Sequence, residues 1–301
     1  MRLSVNVENL LGKYPLEKCA QIYKAAGFDA VDFPLFDMVR DACGYNGENY
    51  REIAARDRKR VEDAGVVITQ THAPFNFAYN HWANESIYKE VIYPRLVRSI
   101  EISALLGADV VVMHPLHHFV HRGHEEEIFN LNMEFYRSLI PYCKEYGIKV
   151  GVENMWGTDR RRNFIVHDTC SRKEEFVRYI DTLDSEYMVA CLDTGHIGLP
   201  EQDDEVEDVI LALGHDRLGA LHVHDNSYKT DDHNLPFHGR LNWQNITEAL
   251  GKIDYRGDFT YEVTTVHMKG ADDAFVPIGA KYMADIGRHL IERIDHARLK
   301  L

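Results

Sequence analysis

Residues 104 to 115 read ALLGADVVVMHP. The stretch holds the tail of an amphipathic segment, a glycine at position 107, an apolar β-branched run and then His114. A glycine closing a helical pattern supplies the left-handed turn that stops the helix. An apolar run without alternation is the pattern of a parallel strand covered on both faces. The stretch therefore predicts a helix, a sharp stop, a buried strand and an ionisable side chain where that strand ends.

The same unit recurs on both sides of it. Apolar runs at Leu3 to Val7, Ala30 to Pro34, Val66 to His72, Asp109 to His114, Lys149 to Asn154, Val189 to Asp193, Ala220 to His224 and Phe259 to Val263 predict eight strands. Helical spacing fills the gaps at Leu16 to Ala26, Tyr50 to Ala64, Glu85 to Leu106, Glu125 to Tyr146 and Arg172 to Leu183, then at Val206 to Leu213, Asn242 to Ile253 and Val276 to Ile294. Gly27, Gly65 and Gly147 repeat the stop of Gly107. Eight βα units with right-handed crossovers close as a (β/α)8 TIM barrel, with an open doubly wound sheet as the alternative. No linker or low-complexity stretch divides the chain, so residues 1–301 are expected to form a single domain.

Composition narrows the setting. The chain has 301 residues, 45% of them hydrophobic, enough for a core that needs no disulfides. Its five cysteines lack CxxC spacing and fit reduced thiols. A formal net charge of −14 argues against nonspecific attraction to nucleic acid or anionic membrane. With no long apolar run at the start or elsewhere, a cytoplasmic location is expected. The apolar faces of the last helices allow a homodimer or homotetramer. There is no GxGxxG opening a helix, no GxxxxGK[ST] and no GxSxG, so no dinucleotide, nucleoside triphosphate or serine nucleophile is implied.

Chemistry collects where barrel strands end. His72, His114, Glu153, Asp193 followed by His196, His222 with His224 and Asp225, and Glu262 occupy six consecutive strand ends. A lone histidine there is more often a hydrogen-bonded structural residue, but six polar ends in a row are costly unless they bind something. Carboxylates and imidazoles without thiolate suit Mn²⁺, Mg²⁺, Co²⁺ or Zn²⁺. After the fourth strand, His117, His118, His121 and His124 are expected to be mostly solvated or at a subunit contact. After the fifth, the loop WGTDRRRNF brings Trp156 and Arg160 to Arg162 towards the mouth, where an aromatic ring suits an apolar face of a ligand and Arg161 an anionic group on it. A solvated basic run facing acidic helix termini is an equal reading of those arginines. Phe75, Phe77, Tyr79 and Trp82 are read as a mixture of substrate wall and helix packing.

In this order and strand phase, THAPFNF (71–77), MHP (113–115), VENM (152–155), CLDTGH (191–196), LHVHD (221–225), DDHNLPFHG (231–239) and YEVT (261–264) resemble the xylose-isomerase-like barrels. That superfamily includes ketose 3-epimerases, sugar-phosphate isomerases and endonuclease IV type apurinic-site nucleases. The resemblance implies one divalent metal, Mn²⁺ by preference, on Glu153, Asp193, His222 and Glu262. It implies proton transfer by the two glutamates on opposite faces of a carbohydrate substrate. His72, His114, His196, Asp231, His233, Trp156 and Arg161 are then substrate contacts. The nuclease branch implies instead that His72, His114, His196, Asp231 and His233 hold further zinc ions. A metal-dependent lyase or dehydratase on a sugar derivative is the other alternative.

Overall fold

The computed structural model describes residues 1–75, 85–116, 120–199, 204–264 and 270–300. The barrel strands are β1 (Leu3–Asn6), β2 (Ala30–Pro34), β3 (Val67–His72), β4 (Val110–Met113), β5 (Lys149–Glu153), β6 (Met188–Asp193), β7 (Leu218–His222) and β8 (Phe259–Tyr261). Each is parallel to its neighbour, in chain order from β1 to β7, and β8 pairs with β1. A single bridge, Val223 with Tyr261, closes the ring between β7 and β8. This is the (β/α)8 barrel that the alternation predicts, and the open doubly wound sheet is set aside.

The helices are α1 (Leu16–Ala26), α2 (Tyr50–Asp63), α3 (Tyr93–Leu106), α4 (Glu125–Tyr146), α5 (Lys173–Leu183), α6 (Val206–Arg217), α7 (Trp243–Lys252) and α8 (Val276–Arg298). Gly107 takes φ 88° at the end of α3, the left-handed stop read from the opening stretch. Two expectations change. The helix expected from Glu85 is broken by a π turn at Tyr88–Ile92 before α3 begins, and Pro94 sits in the first turn of α3, where its missing N–H costs no helical bond. The WGTDRRRNF segment is an antiparallel hairpin, Trp156–Asp159 paired with Phe164–His167.

Strand parity places the site. Val110, Val112, Val189, Cys191 and Ala220 form an apolar cluster separate from the main core, whereas Val111, Met113, Val150, Val152, Ala190, Leu192 and Leu221 join the main core with the helices. The first set faces the barrel axis, because side chains alternate along a strand. On β5 the inward position is Gly151, where a Cβ would come 3.1 Å from that of Cys191. Two residues further along, the inward positions become Glu153, Asp193 and His222. The change from methyl groups to ionisable groups thus falls at one level of the barrel.

Candidate active site

Glu153, Asp193 and His222 are fully buried, and Glu262, just past β8, is about 17% exposed. Each offers one donor atom, and the four atoms lie within 4.8 Å of one another. Ligands on opposite sides of a divalent ion, each about 2.0–2.4 Å from it, are separated by no more than about 4.8 Å, so the group has the span of one coordination sphere. His222 Nδ1 stands 2.8 Å from Glu153 Oε1 and 3.3 Å from Glu262 Oε2. Among the described residues, the ion-pair partners of these three carboxylates are imidazoles. Three acidic groups gathered without a lysine or arginine fit a bound cation.

The backbone fixes this group from beneath. The Asn154 side chain donates to the Asp193 carbonyl at 3.0 Å and accepts from the Asp193 N–H at 2.8 Å, tying the end of β5 to the end of β6. Asp193 Oδ1 accepts the His196 N–H at 2.8 Å, capping the short helix Thr194–Ile197. Burial alone would raise the Glu153 carboxyl, but the imidazoles of His222 and His114 reverse this and hold it well below the usual range. Burial also raises Glu262, with Glu153 and Asp193 adding to it, and His222 and His233 do not fully offset that rise. The two glutamates are poised in opposite directions.

Two further donor groups flank the centre. On one side are His72 and His114, their Nε2 atoms 3.2 Å apart and 3.4 and 3.0 Å from Glu153 Oε2. His72 Nδ1 donates to the Ala73 carbonyl at 2.8 Å, so Nε2 is the atom turned to the site. The stacked rings of Phe36 and Phe75 back His72. Burial pushes the His114 imidazole down to about 4, against the pull of Glu153. On the other side His196, His224, Asp231 and His233 gather. His233 Nε2 meets Asp231 Oδ2 at 3.1 Å, and His224 stacks on His233 with ring centres 4.0 Å apart. Burial opposes the charged form of His233, but the bond to Asp231 and the field of Glu262 push it up to about 9.

A model of the xylose isomerase-like TIM barrel family matches residues 20–286. The chain belongs to that family. An uncharacterized protein of Sinorhizobium fredii is 30% identical over 203 residues, which are 66% of this chain and 60% of that protein. A D-psicose 3-epimerase of Enterocloster bolteae is 27% identical over 157 residues, 52% of this chain and 47% of that enzyme. The chain thus matches less than two thirds of the length of these curated relatives. The crystal structure of a D-tagatose 3-epimerase-like protein superposes with a TM-score of 0.73 at 22% identity, covering 98% of this chain and 99% of that one. At that identity the likeness is one of fold.

Within this xylose isomerase-like barrel, the second flank draws Asp231 and His233 from a loop rather than from strand ends, and Asp225 organises that loop. Its carboxylate accepts from the backbone of Asn226, Phe237, Gly239 and Leu241 and from Trp243 Nε1, at 2.8 to 3.1 Å. A Cβ on Gly239 would fall 2.2 Å from Asp225 Oδ1, and one on Gly195 would fall 1.9 Å from the His224 ring. Asp225, one of the polar strand ends in the sequence, is therefore a loop anchor. His224, by contrast, bonds Asp193 Oδ2 at 3.0 Å and belongs to the site, although the sequence offers it only as a neighbour of His222.

The hairpin brings Trp156 in and leaves Arg161 out. Trp156 Nε1 donates to Asp231 Oδ2 at 3.1 Å, whereas Arg161 is exposed at the turn, where its N–H donates to Asp159 Oδ1 at 2.9 Å. The basic run is a solvated turn here. His121, expected to be solvated or at a subunit contact, is buried 3.3 Å from Glu175. His117, His118, Phe77, Tyr79 and Trp82 lie outside the described residues. Among the described residues no helix is long and apolar enough to cross a membrane.

Proposed function

We propose that this protein is a divalent-metal-dependent isomerase or epimerase of a sugar or sugar phosphate, with Mn²⁺ the preferred ion and Mg²⁺, Co²⁺ or Zn²⁺ able to substitute. The observation that carries the reading is the pair Glu153 and Glu262. They come from β5 and from just past β8, belong to one donor group, and have carboxyls shifted in opposite directions. Moving a proton on a carbon beside a carbonyl requires one group that takes it and another that returns it, and paired carboxyls with separated pKa values suit those roles. A divalent ion on Glu153, Asp193, His222 and Glu262 supplies electrostatic stabilisation for the negative charge that develops on the sugar oxygens. Glu153, ionised, removes the proton, and Glu262 returns one to the opposite face. His72, His114, His196, Asp231 and His233 bind and orient hydroxyl groups, and Trp156 lies against the C–H face of the sugar. The D-psicose 3-epimerase among the relatives supports a ketose as the substrate.

The test is incubation with a panel of free and phosphorylated ketoses in deuterated water. One solvent deuteron retained at the carbon that changes configuration is expected; a configurational change without deuterium overturns proton transfer. Loss of water from the sugar would instead identify the lyase or dehydratase alternative, which the same carboxylate pair could serve. One observation favours the nuclease-like reading, because His72 and His114 with Glu153, and His196, His224, Asp231 and His233, each bring donor atoms within 4.8 Å of one another. Elemental analysis separates the two. About one equivalent of metal is expected here, whereas two to three equivalents of zinc with cleavage of a duplex containing an abasic site would move the assignment.

A further inference from the structure

Asp32 lies on β2 with no exposed surface, and strand parity turns it into the barrel beside the donor group. A buried carboxylate is costly unless something cationic or hydrogen-bonding meets it. Asp32 Oδ2 accepts from Asn6 Nδ2 at 3.4 Å and stands 3.7 Å from His222 Nε2, while Oδ1 and that same Nε2 are buried without hydrogen-bond partners. The separation of 3.7 Å is longer than a hydrogen bond, and the broad terminal torsion of aspartate lets the carboxylate turn an oxygen towards Nε2. The amide of Asn6 is itself oriented, because its Oδ1 accepts the Glu8 N–H at 2.9 Å, which leaves Nδ2 for Asp32.

His222 faces two ways. Its Nδ1 points at Glu153 and Glu262, and its Nε2 points at Asp32. An imidazole that ligates a cation through Nδ1 keeps its proton on Nε2, and a carboxylate behind that N–H fixes both tautomer and ring orientation. We propose that Asp32, itself held by Asn6, is the positioning residue that locks His222 with Nδ1 towards the metal donors and Nε2–H towards the barrel floor. The effect assigned to Asp32 is on cation affinity and on the order of the donor group. The inference rests on the assignment of His222 as a ligand. Neither Asn6 nor Asp32 was singled out by the sequence pattern, because the run of polar strand ends starts at the third strand.

The test uses the full chain loaded with Zn²⁺. A long-range ¹H–¹⁵N correlation spectrum of the wild-type protein is expected to show His222 protonated at Nε2 and coordinated at Nδ1. Protonation at Nδ1 overturns the proposal whether or not any variant folds. Competition calorimetry with Zn²⁺ and Mn²⁺ is expected to show affinity about 10-fold weaker for Asp32→Asn, whose amide oxygen still accepts, and about 100-fold weaker for Asp32→Ala. Affinity for folded Asp32→Ala within twofold of wild type overturns the relay. His222→Ala locates a failure. If it binds both ions as tightly as wild type, the ligand assignment is wrong; if it loses them while Asp32→Ala does not, only the positioning role is.

Discussion

The two flanks of the donor group differ in what holds them. His72 and His114 sit at or just beyond the ends of β3 and β4, in register with the sheet. Asp231 and His233 lie on a loop whose shape depends on the Asp225 carboxylate. Their electrostatics differ as well. The strand flank carries an imidazole that burial keeps neutral, and the loop flank carries one that Asp231 keeps charged. One side of the mouth is therefore held by strand ends and carries one depressed imidazole, while the other is ionic and dependent on a remote anchor.

The largest expected effect contrasts the shared centre with the loop. Glu153→Gln should lower kcat by about 10²–10⁴-fold, as for loss of a proton-transfer group, whereas Asp231→Asn should act mainly on KM. Steady-state kinetics on the substrate found in the ketose panel check this, and similar kcat losses in both would erase the distinction between centre and flank. Next, Asp225→Ala strips one acceptor from five buried or half-buried donors and should cost about 3 kcal/mol or more, lowering Tm by about 5–10 °C. Hydrogen exchange should rise in residues 226–243 and stay unchanged at β3 and β4; uniform exchange across the barrel would show that the loop is not held separately.

A smaller effect sharpens the electrostatic contrast. His114 is depressed from 6.5 to about 4, so the unfolded chain takes its proton first, and the stability it contributes is intact above about 6.5 and lost as pH falls towards 4. His233 is raised from 6.5 to about 9, so its contribution is complete below about 6.5 and lost as pH rises through 9. In thermal melts of chelator-treated protein, His114→Gln should flatten the acid limb and His233→Gln the alkaline limb. Both flattening the same limb would contradict the contrast. The smallest effect is expected of Arg161→Ala, within about 0.5 kcal/mol in stability for an exposed position, with KM within a factor of two. A tenfold rise in KM would return the hairpin turn to the substrate.

The strand flank was legible in the sequence because parity is local. An apolar run that ends in His, Glu or Asp already states which side chain faces inward, and His72, His114, Glu153, Asp193 and His222 all follow from it. The loop flank was legible only as a motif, since nothing in the spacing of DDHNLPFHG says that an aspartate at 225 gathers its backbone. The hairpin was read as a loop because its polar residues lack an apolar alternation, and Gly157 lies within its first strand, where a Cβ would come 3.0 Å from Asp168 Oδ2. Asp32 was passed over as one charge in an otherwise apolar run, although that isolation is the signal it offers.

The single bridge between β7 and β8 gives the barrel a seam, with His222 on one side of it and Glu262 on the other. Whatever these two side chains grip together laces the ring shut, so ligand binding and closure stabilise each other. Until β8 is placed the ring is open and Glu262 is away from the other three donors, so the donor group is completed in the same step that closes the ring.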